Sequence, residues 1–389
     1  MPCKICNKKT RKLINFGNFP VAHRFKKKNQ KEKKSKLALS CCPKCNLVQL
    51  EKLFPLTDLR PRFEWINYNE PEEHLDKLVN IISKLKGINK NSVISGVSYK
   101  EHTTLRRLKK KGFKNIWSLD MKKDLDIKLK KFNLETIQDK ISNANINKIL
   151  KNKKKSDVLI ARHILEHSYN TKDFIHSLKN LVNESGYIIF EVPDCSKALS
   201  DCDYTSIWEE HVLYFTENSL KKLLIDQGLN ISYFEIYKYS YENIIIIITK
   251  IKKSKNFKKI HKKKTPININ WKNLQKDRFL VRNKIQKYRK ENYKICLFGT
   301  GHSAFTYLNL TKIHDLIDVV IDDDKHKKNY YLPNSNLKIQ NSSVLKKFTK
   351  LCLILGVNSE SEKKILLRLK KIKSKLVLYS VYKRSKYSF

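Results

Sequence analysis

The sequence is poor in the residues that shape turns, since its 389 residues include only nine glycines and nine prolines. Long apolar runs are missing too. The uninterrupted apolar runs are short, as in the five isoleucines Ile244–Ile248. A membrane-spanning helix needs about 20 apolar residues in succession, so we expect no membrane span. The amino terminus lacks an apolar segment, which argues against a signal peptide. Hydrophobic residues still make up 40% of the chain, enough for packed cores, and this excludes wholesale disorder.

Acidic residues are scarce: 37 Asp and Glu face 82 Lys and Arg, and the formal net charge is +45. A nucleic-acid-binding protein would concentrate its positive charge on one face or arm. Here the lysine runs are scattered, at Lys26–Lys28, Lys109–Lys111, Lys153–Lys155 and Lys262–Lys264. The spread indicates a compositional bias, so we do not expect nucleic acid as the main partner. A positive field also favours a small substrate that carries a diphosphate.

The nine cysteines do not have the distribution of a disulfide framework, because five of them fall within the first 45 residues. Two C-x2-C pairs, Cys3 with Cys6 and Cys42 with Cys45, supply the four soft ligands that tetrahedral zinc takes. Cys41 could replace Cys42, but the spacing favours Cys42; four buried free cysteines are the alternative. Four thiolates leave no open position for water, so the zinc would be structural. This use of cysteine indicates a reducing compartment, and we expect a cytoplasmic protein.

The chain divides into three expected units, at residues 1–60, 61–250 and 251–389. The middle unit alternates helical and strand patterns, which predicts a doubly wound parallel sheet and an α/β fold. It ends in two strands, Ile231–Tyr237 and Asn243–Thr249, with no helical pattern between them. A terminal β-hairpin of this kind is typical of class I methyltransferases rather than dehydrogenases. The last unit has a lysine-rich linker, a long polar helix and a second, Rossmann-like α/β pattern.

Two places in the middle unit suggest a nucleotide site. Gly96 ends the first strand, where a glycine lets the chain pass close to a ligand. Asp120 ends the second strand, where a carboxylate can accept both ribose hydroxyls. Because most such sites have two or three glycines, an ordinary strand–helix turn is the alternative. Arg162 and His163 follow the next strand, at the sheet edge where ligands bind in open α/β folds; a capping or packing role is the alternative for His163.

Two further stretches carry chemistry. The segment Ile207–Phe215 contains Glu210 beside His211, and a carboxylate beside a histidine can orient the ring and raise its basicity, as a general base requires; an exposed polar loop is the alternative. In the last unit, Gly299-x-Gly301-x-x-Ala304 with Asp322 some twenty residues on is a dinucleotide-type fingerprint. The alternative there is a Rossmann-like domain that binds nothing, or only part of a nucleotide.

Taken together, these motifs resemble the sugar C-methyltransferases of deoxysugar biosynthesis over nearly the whole chain. The matching residues are the two cysteine pairs, Phe16-Gly17, Pro20-Val-Ala22, Gln49-Leu50, Arg162-His163-Ile-Leu-Glu166-His167, Phe190-Glu191-Val-Pro193, Glu210-His211 with Tyr214-Phe215, Phe298-Gly299-Thr-Gly301, Val320-Ile-Asp322-Asp323 and Tyr331-Leu-Pro333. The cysteine pairs and the Glu-His-x-x-Tyr-Phe stretch are the specific pieces.

The resemblance implies a zinc-binding domain, a central S-adenosylmethionine domain and a C-terminal Rossmann-like domain, acting on a nucleotide-linked sugar. It places the catalytic base at His211 with Glu210 beside it, and gives His167 and Tyr68 the task of orienting the sugar or stabilising an enolate. The implied sites are Gly96, Asp120, Arg162 and His163 for the cofactor, and Tyr214, Glu191, Gly299 and Gly301 for the substrate.

The sequence departs from this family at three places. The glycine-rich cofactor loop is reduced to Ser95–Tyr99, Trp208 stands where a tyrosine is usual, and Tyr241-Glu242-Asn243 replaces a Gly-Gly-Ser stretch. Two alternative functions follow. One is a non-catalytic protein that binds nucleotide sugars on the methyltransferase scaffold. The other is an NAD-dependent enzyme that uses the C-terminal glycine fingerprint.

Overall fold

The structure, a computed structural model, describes residues 1–66, 72–129, 132–239, 242–251, 269–369 and 375–389. Its fold class is α/β, with three separate sheets of four, six and five strands. Among the residues described, no helix is both long and apolar enough to cross a membrane.

The strands and helices are numbered in chain order. The strands are β1 (Arg11–Phe19), β2 (Ser35–Cys41), β3 (Val48–Leu50), β4 (Val93–Gly96), β5 (Asn115–Ser118), β6 (Ser156–Arg162), β7 (Val182–Asp194), β8 (Leu213–Tyr214), β9 (Leu229–Tyr239), β10 (Glu242–Ile251), β11 (Lys294–Phe298), β12 (Val319–Ile321), β13 (Ile339–Gln340), β14 (Lys350–Leu355) and β15 (Lys375–Ser380). The α-helices are α1 (Leu56–Leu59), α2 (Leu75–Ile82), α3 (His102–Lys110), α4 (Leu134–Lys140), α5 (Asn143–Asn152), α6 (Thr171–Asn180), α7 (Ser196–Ser200), α8 (Glu217–Asp226), α9 (Trp271–Lys290), α10 (His302–Thr311) and α11 (Ser359–Leu369).

The first sheet has the strand order β1-β2-β3-β8, and all its neighbours are antiparallel. Three strands come from the cysteine-bearing amino-terminal unit. The fourth comes from the middle of the chain, where Tyr214 pairs with Val48 and Leu213 pairs with Gln49. The boundary expected at residue 60 therefore does not separate two self-contained sheets, because the middle unit completes the sheet of the first.

The central sheet has the strand order β5-β4-β6-β7-β10-β9. Strands β4, β5, β6 and β7 are parallel to one another. Strand β10 runs antiparallel to both β7 and β9. The terminal hairpin that the sequence predicts is thus present. The isoleucines of β10 are buried on both faces, since Ile245 and Ile247 join one core and Ile244, Ile246 and Ile248 join the other. Alternation along a strand explains this division.

The third sheet, β13-β12-β11-β14-β15, is wholly parallel, as the Rossmann-like pattern predicts. Its glycine turn follows β11 and leads into α10. The carboxyl end of this sheet and the carboxyl end of the central sheet both border one cleft, because Gly299 and Pro193 line the same cavity.

The three sheets share hydrophobic cores. Cys3 and Leu47 of the amino-terminal unit pack in one cluster with Val212 and Phe215 of the middle unit. A second cluster joins β1 and β2 with residues of the middle unit and with Leu274 and Leu310 of the C-terminal unit, which lie on α9 and α10. The segment around residues 195–215 therefore lies where all three units meet.

Candidate active site and zinc centre

The four predicted zinc ligands come together in the structure. The Sγ atoms of Cys3 and Cys45 are 3.5 Å apart, those of Cys6 and Cys42 are 3.4 Å apart, and those of Cys6 and Cys45 are 3.9 Å apart. A tetrahedron with Zn–S bonds of about 2.3 Å places its sulfurs about 3.8 Å from one another. The residues present therefore fit the ion. Cys41 is outside this cluster, and its thiol is close to the Cys42 carbonyl instead.

His211 lies in a short loop that Tyr214 closes. The Tyr214 hydroxyl donates to the Trp208 carbonyl at 2.8 Å and accepts from the Trp208 N–H at 3.0 Å. Tyr214 is fully buried in β8, so its hydroxyl is used within the protein. Tyr214 thus shapes the loop that carries His211, and its contact with a substrate stays a prediction.

The ring of His211 is half-buried among other rings. Its centroid lies 4.9 Å from that of His167 and 4.8 Å from that of Trp208. Burial, reinforced by the neighbouring histidines His167, His302 and His163, holds the pKa of His211 well below its usual value. His211 is therefore uncharged at neutral pH, with a lone pair available to accept a proton.

His167 has the opposite environment. Its Nδ1 is 2.5 Å from Oε1 of Glu135, a carboxylate at the start of α4 that is 1% exposed. Burial alone would lower the pKa of His167, but the Glu135 carboxylate outweighs it and raises that pKa to about 9. His167 therefore carries a proton at neutral pH. Because Nδ1 is engaged by Glu135, Nε2 is the nitrogen that can donate into the adjoining cavity.

Glu210 does not orient His211 in the way that the sequence suggested. Its Oε1 lies 3.2 Å from Nδ1 of His23, a residue of the amino-terminal unit. Adjacent side chains in a turn project in different directions, which is why the sequence neighbour of a histidine need not be its partner. Glu210 still lines the same cavity as His167 and His211.

Glu166 is a buried carboxylate beside these histidines. It is 1% exposed, and within the described ranges neither of its oxygens accepts a hydrogen bond. Its Oε1 lies 3.6 Å from His163 Nδ1 and 4.0 Å from His167 Nε2. One ligand atom each of Glu166, His167 and His211 can be found within 4.8 Å of the others, so the three groups form a compact titratable cluster.

Arg162 and Glu191 form a buried ion pair rather than two halves of a ligand site. Arg162 donates to both carboxylate oxygens of Glu191, at 2.9 and 2.8 Å, and also to the Lys100 carbonyl. His163 and His74 bond the same carboxylate. Burial by itself raises the pKa of Glu191, but Arg162 and the two histidines outweigh it and hold that pKa well below its usual value.

These contacts give three predicted site residues, Arg162, Glu191 and His163, partners within the protein. Arg162 was expected at the cofactor and Glu191 at the substrate, but Arg162 is 2% exposed, Glu191 is 0% exposed, and their charges are neutralised against each other. They tie β6 to β7 at the edge of the site. His163, also expected at the cofactor, has its Nε2 on Glu191 and forms part of the wall of the cavity that contains His167.

The two predicted nucleotide-site residues lie at neighbouring strand ends. Asp120 lines an open groove of about 800 Å³ with Ser118, Met121 and Phe132. Hydrogen bonds from the backbone N–H groups of Lys123 and Lys122 lower the pKa of Asp120, which keeps its carboxylate ionised. A carboxylate beside apolar side chains suits a ribose and its adenine, so this part of the chain fits S-adenosylmethionine.

Gly96 is required by the protein's own packing. A Cβ on Gly96 would lie 2.7 Å from the Cβ of Glu101. Glu101 is fully buried and accepts hydrogen bonds from the N–H groups of Ser98 and Arg162. The loop after β4 is thus organised around a carboxylate, whereas the sequence had suggested a close approach of the backbone to a ligand.

The glycine turn of the C-terminal sheet opens onto a cavity of about 570 Å³. Gly299 has φ +95°, and a Cβ there would lie 2.5 Å from Val357 Cγ1, so the turn needs glycine at this position. A Cβ at Gly301 would meet nothing within 4 Å. Both predicted glycines line this cavity, together with His211 and Trp208. Because the substrate is expected here, we call this cavity the acceptor cleft.

Asp322 is occupied by groups of its own domain. Its Oδ2 accepts from the backbone N–H and the hydroxyl of Thr300, at 3.0 and 2.6 Å, and from Lys327 Nζ at 2.8 Å. In a dinucleotide site this acid binds the ribose. These contacts argue against an NAD ribose at this position.

Three cavities are neighbours, because they share lining residues. Phe132 lines both the groove at Asp120 and a smaller chamber of about 120 Å³, which contains His167, Glu166 and Glu210. His211 and Trp208 line both that chamber and the acceptor cleft. The groove at Asp120, the chamber with the two histidines and the larger cleft therefore lie side by side. Tyr68, the remaining predicted catalytic residue, lies outside the described residues.

Several residues of the site were not found from the sequence. Glu135 gives no local signal, because it lies on an ordinary short helix and meets His167 only in the folded chain. His23 contacts Glu210 from the amino-terminal unit. His302 stacks on Trp208, with ring centroids 4.3 Å apart, and bonds the Ile207 carbonyl.

Comparisons with known proteins match this architecture. Family models match a zinc binding domain over residues 3–59, a methyltransferase domain over residues 59–233 and a C-methyltransferase C-terminal domain over residues 266–377. No curated protein matches the sequence at a significant level.

Solved structures of methyltransferases are similar to part of the chain. The 1,6-didemethyltoxoflavin-N1-methyltransferase of Burkholderia thailandensis is 10% identical, with 46% of this chain and 79% of that chain covered and a TM-score of 0.33. An S-adenosylmethionine-dependent methyltransferase from Clostridium acetobutylicum ATCC 824 is 10% identical, with coverages of 47% and 93% and a TM-score of 0.32. The N-methyltransferase NodS from Bradyrhizobium japonicum WM9 is 10% identical, with coverages of 46% and 96% and a TM-score of 0.29.

The central sheet with its terminal hairpin and the matched methyltransferase domain define a class I S-adenosylmethionine-dependent methyltransferase. The zinc binding and C-terminal domains lie on either side of it in the expected order, so the chain belongs to the zinc-binding class I C-methyltransferase family. The four clustered cysteines bind its structural zinc.

Proposed function

We propose that the protein transfers a methyl group from S-adenosylmethionine to a carbon of a nucleotide-linked sugar, next to a ketone. One observation carries this proposal: His211, an uncharged and half-buried histidine, lines both the chamber beside the cofactor groove and the acceptor cleft. A base in this position can reach a substrate in the cleft. The matched C-methyltransferase C-terminal domain supports carbon as the methylated atom.

The chemistry requires a carbon nucleophile, and a sugar carbon becomes one when a proton next to a ketone is removed. His211 takes that proton, and the C–H electron pair forms an enolate. S-adenosylmethionine, when bound, would supply the electrophilic methyl group that the enolate carbon accepts, and the S–C electron pair would remain on sulfur. His211 then releases its proton to solvent.

His167 is suited to stabilise the enolate oxygen. Its proton-bearing ring lies edge to face against His211, and Glu135 fixes its Nδ1, so Nε2–H faces the chamber that both rings line. A preformed cationic donor in a partly water-excluded site stabilises developing negative charge far better than water does. His211 therefore acts as the base and His167 as the cationic hydrogen-bond donor. Their different surroundings give the two histidines these different roles.

The acceptor cleft has features that suit a nucleotide diphosphate. The ten-residue helix α10 begins at His302, directly after Gly301, and its first backbone N–H groups face the glycine turn. Helix amino termini bind phosphate through such N–H groups and the helix dipole. Because Asp322 is held by Thr300 and Lys327, we propose that the turn holds the substrate's diphosphate and not a nicotinamide cofactor.

The non-catalytic alternative rests on a specific observation. Glu101 fills the loop after β4, where most members of this class have several glycines. A protein that had lost the cofactor would still hold a nucleotide sugar in the cleft. We also propose a cytoplasmic location, because four of the cysteines are grouped as a zinc site and not as disulfide pairs.

The test combines binding with product detection. The protein is titrated with S-adenosylmethionine, NAD and a panel of nucleotide-linked ketosugars, and is then incubated with methyl-¹³C-labelled cofactor and each sugar that binds. The proposal expects a ¹³C methyl signal coupled to a sugar carbon. Sugar binding without cofactor binding would favour the non-catalytic alternative. NAD binding that is lost on changing Gly299 would favour the NAD-dependent one.

A further inference from the structure

We infer that the zinc-binding unit positions the base His211. Gln49 is the positioning residue that connects the zinc ligand Cys3 to the segment that carries His211. This inference rests on the proposed role of His211 as the base. The four cysteines are assigned to structural zinc, but nothing in that assignment connects them to catalysis. The connection comes from hydrogen bonds in the first sheet.

The side chain of Gln49, on β3, is hydrogen-bonded to the residues on either side of the zinc ligand Cys3. Its side chain is 0% exposed. Its Oε1 accepts from the backbone N–H of Lys4 at 3.0 Å, and its Nε2 donates to the carbonyl of Pro2 at 3.1 Å. Pro2 and Lys4 are the neighbours of the zinc ligand Cys3. The amide of Gln49 is therefore bonded on either side of one ligand, so the position of Cys3 and that of β3 are coupled.

Strand β3 in turn holds the segment that follows His211. Gln49 pairs with Leu213, and the N–H of Leu50 donates to the Val212 carbonyl at 3.0 Å. Val212 is directly bonded to His211 in the chain, and its own N–H donates to the Glu166 carbonyl at 2.9 Å. The backbone next to the base is thus held between the zinc unit on one side and the Glu166–His167 segment on the other.

A second set of contacts from the zinc-binding unit reaches the residues before His211. The N–H of Ala22 donates to Glu209 Oε1 at 2.6 Å, and His23 lies 3.2 Å from Glu210. Both residues preceding the base are therefore held by the amino-terminal unit, and both residues following it are near β3. His211 itself is half-buried, so its ring position depends on these flanking contacts and on the rings of His167 and Trp208.

The size of the expected effect follows from geometry. Displacing a catalytic group by about 1 Å can cost about 10²-fold in rate. Two hydrogen bonds anchor the Gln49 side chain, and their loss in a close-fitting apolar variant removes the coupling while leaving the packing nearly intact. Gln49→Met is that variant, because methionine has a similar length and fills irregular core space.

The experiment compares Gln49→Met with Phe16→Leu in the full-length zinc-loaded protein. Phe16 lies on β1 and packs in a core cluster that does not contain the zinc ligands, so Phe16→Leu weakens the same sheet while leaving both hydrogen bonds of the Gln49 side chain in place. Temperatures are chosen at which the two variants have the same free energy of unfolding. Zinc content, cofactor dissociation constant, kcat and amide hydrogen exchange at residues 211–214 are measured.

We expect Gln49→Met to retain one zinc and its cofactor affinity, to lose about 10-fold or more in kcat, and to exchange amides 211–214 faster than Phe16→Leu does. An unchanged kcat and unchanged exchange in Gln49→Met would overturn the inference, and so would equal losses in the two variants. The coupling can also be tested without methyl transfer, so a failure of the proposed function can be told apart from a failure of this inference. If no sugar is methylated, removal of zinc by a chelator should still accelerate exchange at 211–214 more than in β10, and uniform acceleration would refute the coupling.

Discussion

The rings of His167 and His211 meet edge to face, with their centroids 4.9 Å apart and their planes at 88°. Their pKa values move in opposite directions, because Glu135 raises that of His167 to about 9 while burial lowers that of His211. Two like side chains in contact thus hold different protonation states at neutral pH. A neutral base next to a cationic donor is the arrangement that enolate formation requires.

Removal of the Glu135 charge should shift the alkaline limit of the reaction. His167 is active while protonated, so kcat of the wild type should fall as the pH rises through about 9. In Glu135→Gln the carboxylate that raises the pKa of His167 is gone, and the fall should begin at lower pH. A kcat–pH profile between pH 6 and 10 measures this shift. A profile that is identical in the two proteins would remove His167 from the role of cationic donor.

Substitution should distinguish the zinc ligand Cys42 from the adjacent Cys41. We expect one zinc per chain, and Cys42→Ser should lose most of it, since a structural zinc site contributes directly to folding. Cys41→Ser is the matched control: Cys41 is the adjacent residue but lies outside the cluster of thiols. Metal analysis and thermal unfolding give the answer. Full zinc content in Cys42→Ser would contradict the assignment.

The buried ion pair of Arg162 and Glu191 should be essential for stability. Glu191→Gln leaves Arg162 without its charge partner and should cost about 3–5 kcal/mol in the free energy of unfolding. The control is Glu217→Gln, at a partly exposed pair with Lys221 on α8, which should cost about 0.5 kcal/mol or less. Denaturant unfolding of both variants provides the comparison, and equal losses would show that the buried pair adds nothing.

The same pair gives a pH dependence. Glu191 has a lower pKa in the folded state than the usual value of about 4.3 that we take for the unfolded chain. Its contribution to stability is therefore present above that value and is lost as the pH falls through the folded-state pKa. Unfolding free energies measured down the acid range should show less pH dependence in Glu191→Gln than in the wild type.

The two glycines of the acceptor cleft should respond differently to alanine. Gly301→Ala adds a methyl group where nothing lies within 4 Å, so the fold should be unaffected while the affinity for a nucleotide-linked sugar falls by about 10-fold, or about 1.4 kcal/mol. Gly299→Ala should destabilise the C-terminal domain, since its Cβ would lie 2.9 Å from the Gly356 carbonyl and φ is +95°. Calorimetric binding and unfolding separate the two effects. Unchanged sugar binding in Gly301→Ala would place the diphosphate elsewhere.

The predictable part of this fold was local or periodic. The alternation of helical and strand patterns predicted the parallel sheets, and two successive strand patterns predicted the terminal hairpin. Strand β8 was not predictable, because two residues carry no periodicity and their partner β3 lies about 160 positions away in the chain. Its pairing is nevertheless what brings the zinc-binding unit to the active site.

Charge partners were also beyond the reach of the sequence. The family resemblance assigns Arg162 to the cofactor and Glu191 to the substrate, and only the structure shows that the two charges neutralise each other. Glu210 is next to His211 in sequence and contacts His23 in space, whereas the carboxylate that raises the pKa of His167 is Glu135. Residue type and spacing selected these residues from the sequence, but only the folded structure gives the directions of their side chains and hence their partners.

The central claim is that His211 removes a sugar proton, and one NMR measurement tests it. Wild type, His211→Asn and the surface control His176→Asn are each incubated in deuterated water with a bound nucleotide-linked ketosugar, with and without methyl-¹³C-labelled cofactor. We predict that proton exchange next to the ketone and methyl transfer both fall by roughly 10²-fold or more in His211→Asn alone, while cofactor binding is retained. Wild-type rates of both processes in His211→Asn would contradict the account.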